Sequence, residues 1–158
     1  MSRKPRKRSA RMSLRGRGSA MLDPLTPVER SRRMALVTSK NTQPERAVRK
    51  ILRSLGYRYQ IHSAGIPGTP DIVLASFRKA IFVHGCFWHR HRGCPRTRTP
   101  RTRLAFWKRK FQQNVDRDRT TLLRLKWDGW NTLVVWECVS EQPERLRLRL
   151  LRFLGGPA

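Results

Sequence analysis

Residues 70–94 read PDIVLASFRKAIFVHGCFWHRHRGC. Two short apolar runs, 72–75 and 80–83, flank the turn-like Ser76-Phe77-Arg78-Lys79, which predicts a strand hairpin with Asp71 at its entry and His84 at its exit. Beyond the exit, Cys86, Phe87, Trp88, His89, His91 and Cys94 crowd into nine residues. Gly85 and Gly93 argue for irregular backbone there. Soft metal ligands, imidazoles and large aromatics in so short a segment point to chemistry as well as packing.

On the N-terminal side, Thr42-Gln43-Pro44-Glu45 is a capping box in which hydroxyl and carboxylate satisfy each other's helix-start donors. Ala47, Val48, Ile51, Leu52 and Leu55 then recur on one helical face, Arg46, Arg49, Lys50 and Arg53 occupy the other, and Gly56 supplies the stop. Residues 57–61 predict a strand, and Pro67-Gly68-Thr69-Pro70 turns the chain into Asp71. Further upstream, residues 26–40 suit a helix capped by Thr26, with Met34 and Val37 on one face amid Arg30, Arg32, Arg33 and Lys40.

On the C-terminal side, residues 92–103 form a basic loop rich in Thr and Pro. Leu104, Trp107, Phe111, Val115, Leu122 and Leu125 have the spacing of a long helix closed by Asp128-Gly129. Residues 131–136 predict a β-branched strand ending at Glu137-Cys138, and residues 143–154 a helix with Leu146, Leu150 and Leu154 in line. This order implies an α/β fold with a mixed central sheet flanked by helices. The expected organisation is a basic disordered tail, 1–25, before a single domain, 26–158.

Thirty-six Lys and Arg against ten Asp and Glu give a formal charge of +26. Solubility does not require that excess; a polyanionic partner does, and nucleic acid is preferred over an anionic membrane. No apolar run approaches the roughly 20 residues that cross a bilayer, and no apolar segment follows the basic N-terminus, so the cytoplasm is expected. Three cysteines in a reducing compartment suggest metal ligation or free thiols.

Val83-His84-Gly85-Cys86-Phe87-Trp88-His89, preceded by Pro67-Gly68-Thr69-Pro70-Asp71 and followed by Trp136-Glu137-Cys138, resembles the very-short-patch repair family of DNA mismatch endonucleases. The resemblance runs from about residue 31 to residue 138. It implies that 26–158 is an endonuclease domain with a restriction-endonuclease-like PD-(D/E)XK fold. Phe82 and His84 stand where that fold's second strand usually carries an acid and a lysine, and the family resemblance implies imidazole chemistry in place of the lysine.

Cutting a phosphodiester needs a cation, a base and help for the leaving oxygen. Asp71 is the natural Mg²⁺ anchor, His89 the expected general base, and His84 a charge stabiliser or acid. Val83 stands where the family has Thr and joins the Mg²⁺ site if its main-chain carbonyl serves there. Glu45 is first a capping residue, and the resemblance adds the role of a supporting acid. Thiolates with imidazole select zinc. Cys86 and Cys94 from the loop and Cys138 from the distant strand would be joined by His91 or His89; the resemblance assigns His91 to zinc and His89 to catalysis. One more residue separates His91 from Cys94 than in the family pattern.

The resemblance also implies that Phe87 and Trp88 intercalate beside a T:G pair, with Met34 entering from the opposite groove and Arg32, Arg33 and Lys40 along the DNA backbone. Phe87 and Trp88 serve equally well as core aromatics over the zinc. The implied activity is nicking 5′ to the thymine of a T:G mismatch in double-stranded DNA, left by deaminated 5-methylcytosine. The implied setting is nucleoid-associated, monomeric, and cooperative with mismatch-repair proteins. Two rivals are a non-catalytic zinc-containing nucleic-acid-binding protein and a restriction-type endonuclease cutting matched duplex.

Overall fold

The computed structural model describes residues 40–155, together with Thr26, Val28, Glu29 and Arg32. Met34, Arg33 and the basic tail lie outside the described residues. Thr26 and Glu29 form a capping box, the Glu29 amide donating to the Thr26 hydroxyl over 3.2 Å, and Val28, Glu29 and Arg32 are helical.

Four strands and four α-helices follow. Helix α1, Gln43–Ser54, begins at the capping box read from the sequence: Thr42 Oγ1 accepts from the Glu45 amide and Glu45 accepts from the Thr42 amide. Strands β1, Gln60–Ile61, and β2, Ile72–Leu74, are short; β1 covers only the end of the expected 57–61 strand. A 3-10 turn, Ala75–Phe77, leads into β3, Lys79–His84. Helix α2, Leu104–Trp127, crosses to β4, Asn131–Trp136; α3, Glu137–Ser140, and α4, Pro143–Leu154, close the chain.

The sheet runs β1-β2-β3-β4, with β1/β2 and β2/β3 antiparallel and β3/β4 parallel. It is therefore the mixed sheet that the element order predicts. A parallel neighbour needs a long crossover, and α2 with its preceding loop provides it.

Strand alternation sorts the side chains. Ile72, Leu74, Ile81 and Val135 join Val48 and Leu52 of α1 and Leu146, Leu150 and Leu154 of α4 in one core. Each such Leu or Ile contributes roughly 1.5–3 kcal/mol by leaving water. The alternate positions, Val73, Ala80 and Phe82, face the other way, where α2 packs with Phe111 and Leu125 buried. Asp71 and His84 continue that second set, and so lie on the α2 side of the sheet.

Three expectations are corrected. Arg49, placed by periodicity on the solvated face of α1, is nearly buried and donates to Asn41 Oδ1, because the chain leading into the helix folds over it. Leu104 and Val115 are exposed; the buried face of α2 runs through Phe111, Asn114 and Leu125 instead. Cys138 lies in the first turn of α3, since the chain leaves the extended conformation directly after Trp136.

Candidate active site

The parallel pairing of β3 with β4 does more than complete the sheet. Its last register pair is His84↔Trp136, and Cys86 and Cys138 each lie two residues beyond it. A cysteine 52 residues away in sequence is thereby carried to the same end of the sheet as the His-Gly-Cys loop.

The thiols of Cys86, Cys94 and Cys138 and a nitrogen of His91 all lie within 4.8 Å of one another. His91 Nδ1 is 3.3 Å from Cys138 Sγ and 3.6 Å from Cys86 Sγ. The His91 ring stacks on Trp136 with centroids 4.3 Å apart and planes 9° apart, which fixes its orientation. Burial pushes the Cys86 thiol up to about 12, and the Cys138 and Cys94 thiols crowded against it add to the rise. His91 is lowered, first by burial and then by Arg149 and Arg145. Three sulfurs and one imidazole nitrogen supply the four donors that a structural zinc site takes, and a cation held there would stabilise the thiolates. Outside this set, the Cys86 amide donates to Glu137 Oε2 over 3.1 Å, and Arg96 bridges to Glu141 and Glu137.

On the α2 side of the sheet, Asp71, Val83, His84, His89 and Asp118 line a cleft of about 420 Å³. Asp71 Oδ2 accepts the Val83 amide over 2.7 Å. The residue at position 83 thus meets Asp71 through its backbone, a contact that valine makes as well as threonine. Burial raises the Asp71 carboxyl above its usual value, against the lowering effect of the Val83 amide, and Glu45 adds to the rise. A half-buried carboxylate with a second acid nearby is a site that a cation relieves.

His89 Nδ1 contacts Asp118 Oδ2. A carboxylate only accepts, so Nδ1 carries the hydrogen and Nε2 is left as acceptor. His84 Nδ1 lies 3.9 Å from the same oxygen. Burial lowers His84 to about 4, helped by His89 and Arg117 and opposed by Asp118, so its imidazole is neutral near pH 7.

A second cleft, of about 500 Å³, lies on the other flank of Asp71 and His89, with Glu45, Phe87, Trp88 and Asn114 in its wall. The Phe87 ring meets Trp88, Trp107 and Phe111 edge-on at 5.1–5.5 Å. Both Phe87 and Trp88 are half-buried, and Asn114 Nδ2 holds the Trp88 carbonyl at 3.1 Å. Gly68 makes the close approach of the preceding loop to α2: its φ is +75° and a Cβ there would sit 2.1 Å from Thr121 Cγ2.

Comparison with known proteins places the chain in a family. The sequence profile described as DNA mismatch endonuclease Vsr matches residues 22–96. The DNA mismatch endonuclease Vsr of Escherichia coli K12 is 38% identical over 126 residues, covering 80% of each chain. The chain belongs to the Vsr family of DNA mismatch endonucleases. It is also 46% identical over 134 residues to the type II nicking enzyme V.XorIIP of Xanthomonas oryzae pv. oryzae, covering 85% of this chain and 98% of that one. Identity to the type II nicking enzyme V.NmeAIP of Neisseria meningitidis is 37% over 134 residues, covering 85% and 95%. This Vsr-family protein is a DNA endonuclease, a hydrolase, and the rival reading as a non-catalytic binding module gives way to that.

Of the residues singled out in the sequence, Asp71, Val83, His84 and His89 share one cleft, Glu45, Phe87 and Trp88 border the other, and the four zinc candidates converge. Arg32 and Lys40 are exposed. The sequence reading of this Vsr-family chain passed over Asp118. Its signal was present: Asp118 falls seven residues after Phe111 and seven before Leu125, on the buried face of α2, where an acid needs a partner. Trp136, which the sequence offers as a strand end and part of the family pattern, also stacks on His91 and meets His84 edge-on at 5.5 Å.

Proposed function

We propose that this Vsr-family endonuclease nicks one strand 5′ to the thymine of a T:G mismatch, with Mg²⁺ at Asp71 and His89 as general base. The observation that carries the reading is the shared cleft of Asp71, His84, His89 and Asp118. It brings two carboxylates and a pair of imidazoles together beside one end of the sheet.

In the proposed mechanism Asp71 is the principal Mg²⁺ anchor, with Glu45 alongside. A divalent cation bound there stabilises charge building on the phosphoryl oxygens. Asp118 holds the His89 tautomer, so that Nε2 takes a proton from the attacking water. Neutral His84, packed against His89, donates toward the phosphate or the leaving oxygen. Cys86, His91, Cys94 and Cys138 hold a structural Zn²⁺ that ties the catalytic loop to β4 and α3. The scaffold is read as PD-(D/E)XK-type, with imidazoles in place of the lysine.

Phe87 and Trp88, presented beside the cleft by an aromatic cluster, are the proposed intercalating edge. Opening a base step costs a few kcal/mol and less at a mismatch, which favours T:G over C:G. Arg32 and Lys40, together with Arg33 and Met34, are proposed DNA contacts. Residues 26–158 are taken to act as one monomeric endonuclease unit on nucleoid DNA in the cytoplasm, with mismatch-repair proteins as partners and residues 1–25 adding phosphate contacts. The formal charge of +26 supports the polyanionic partner.

The test is direct. Purified protein with Mg²⁺ is incubated with end-labelled duplexes differing only in T:G or C:G at one step. A single-strand nick confined to the T:G duplex is expected; equal cutting of both would favour the matched-duplex reading.

A further inference from the structure

His62 has no part in the proposed mechanism. This residue follows β1 with a left-handed backbone, φ +49°, and precedes the turn that delivers Asp71. Its Nε2 lies 3.7 Å from Glu45 Oε2, too long for a hydrogen bond. Ligand atoms of Glu45, His62 and Asp71 all fall within 4.8 Å of one another.

The three side chains come from separate places: the first turn of α1, the loop after β1 and the entry to β2. Glu45 Oε1 already accepts from the amide and hydroxyl of Thr42, Glu45 Oε2 from the Asn41 amide, and Asp71 Oδ2 from the Val83 amide. Glu45 Oε1 is thereby filled, but Glu45 Oε2 and Asp71 Oδ2 each accept one bond and keep a second acceptor position, so coordination remains open to both acids. Ligands held about 2.1 Å from one ion lie roughly 3–4.2 Å apart. The His62–Glu45 separation falls inside that span.

We propose that His62 is a direct imidazole ligand of the cation held by Asp71, with Glu45 on the same side, and that it biases the site from Mg²⁺ toward Mn²⁺. This rests on the reading of Asp71 as the cation anchor. The chemical reason for the bias is that Mg²⁺ favours oxygen donors and water, whereas imidazole suits transition metals better. An ordinary ion pair between His62 and Glu45 would also account for their proximity, but it would leave no nitrogen on the metal.

The experiment uses the full chain supplied with one equivalent of Zn²⁺ for the cysteine cluster and then titrated with Mn²⁺. Bound Mn²⁺ is read from the loss of the free-ion electron paramagnetic resonance signal. Electron spin-echo modulation reads any directly bound ¹⁴N. The wild type is expected to show a bound ¹⁴N that persists in His89→Gln and disappears in His62→Gln. Mn²⁺ affinity in His62→Gln should fall by at least the roughly 10-fold that loss of even an outer-sphere partner costs, with Mg²⁺ affinity changing less. Circular dichroism establishes that the variants are folded, and His62→Asn serves if His62→Gln is not. Absence of a bound ¹⁴N in the wild type, or its persistence in His62→Gln, would overturn the inference alone. Undiminished Mn²⁺ binding in Asp71→Ala would instead overturn the anchor reading on which it rests.

Discussion

The imidazoles of His84 and His89 stack with centroids 3.9 Å apart and planes 15° apart, and both Nδ1 atoms face Asp118 Oδ2. Two stacked imidazolium ions would repel, and the shared carboxylate is much closer to His89. Burial and the His89 ring leave His84 neutral. The proposed mechanism accordingly gives the proton transfer to His89. His89→Ala should lower the single-turnover nicking rate by about 10²–10⁴-fold, the range of general acid–base catalysis. Asp118→Asn should lose activity while retaining DNA affinity, and its pH–rate profile should shift, because an amide no longer selects the Nδ1–H tautomer.

Stability should fall in mild acid. The folded-state value of His84 is about 4 against an ordinary 6.5. Between those values the unfolded chain binds the proton and the folded chain resists it. The stability that neutral His84 contributes is thus fully present above about pH 6.5 and lost as pH falls toward about 4. The full swing is on the order of 3 kcal/mol at most. Urea midpoints measured from pH 4 to 7 should decline with acid in the wild type and less steeply in His84→Gln.

Removal of the Zn²⁺ proposed for the cysteine cluster should cost more than the loop alone. Cys138→Ser or a strong chelator would take away the proposed metal link between the His-Gly-Cys loop, which carries Cys86, and the first turn of α3, which carries Cys138. A loss of about 3 kcal/mol would lower the melting midpoint by roughly 6–12 °C in a domain of this size. Metal analysis should show about one Zn²⁺ per chain in the wild type and less in Cys138→Ser.

The sequence disclosed what local rules govern. The Thr42–Glu45 capping box, the hairpin between Asp71 and His84, the 131–136 strand and the Leu146–Leu150–Leu154 stripe each depend on neighbours within a few residues, and each is present. The convergence of Cys138 on Cys86 was expected from ligand chemistry and the family pattern, yet its cause is the His84↔Trp136 register, a long-range property. Asp118 and His62 escaped notice because an acid in a helix and a histidine in a loop are ordinary alone. Only packing of α2 against the sheet, and of the β1 loop against α1, gives them neighbours.

Mismatch preference should be separable from cleavage. The Phe87 ring stands edge-on to Trp88, Trp107 and Phe111, so one side chain both completes the cluster and borders the cleft. Stacking a base on an aromatic ring contributes about 1–3 kcal/mol, or roughly 5- to 150-fold. Phe87→Leu, which retains apolar bulk, should reduce the ratio of T:G to C:G nicking by a factor in that range. Equal rates on both duplexes in the wild type would remove the premise.

Asp71 should set function against stability. Its carboxyl is raised above the ordinary 3.8, chiefly by burial, so ionisation is harder in the folded chain than in the unfolded one. As pH rises through that interval the unfolded chain releases its proton first, and stability falls until the folded carboxyl also ionises. Near pH 7 the metal-free protein then carries the cost of a partly desolvated charge, with Glu45 adding to it. Asp71→Asn removes the charge and keeps an oxygen to accept the Val83 amide. The variant should melt higher than the wild type without Mg²⁺, gain nothing when Mg²⁺ is added, and fail to nick DNA. The wild type should gain stability as the cation binds the folded form. Melting curves of both proteins with and without Mg²⁺ test the pairing: an Asp71→Asn midpoint below that of the metal-free wild type would mean that Asp71 contributes to the fold through contacts that outweigh its desolvation.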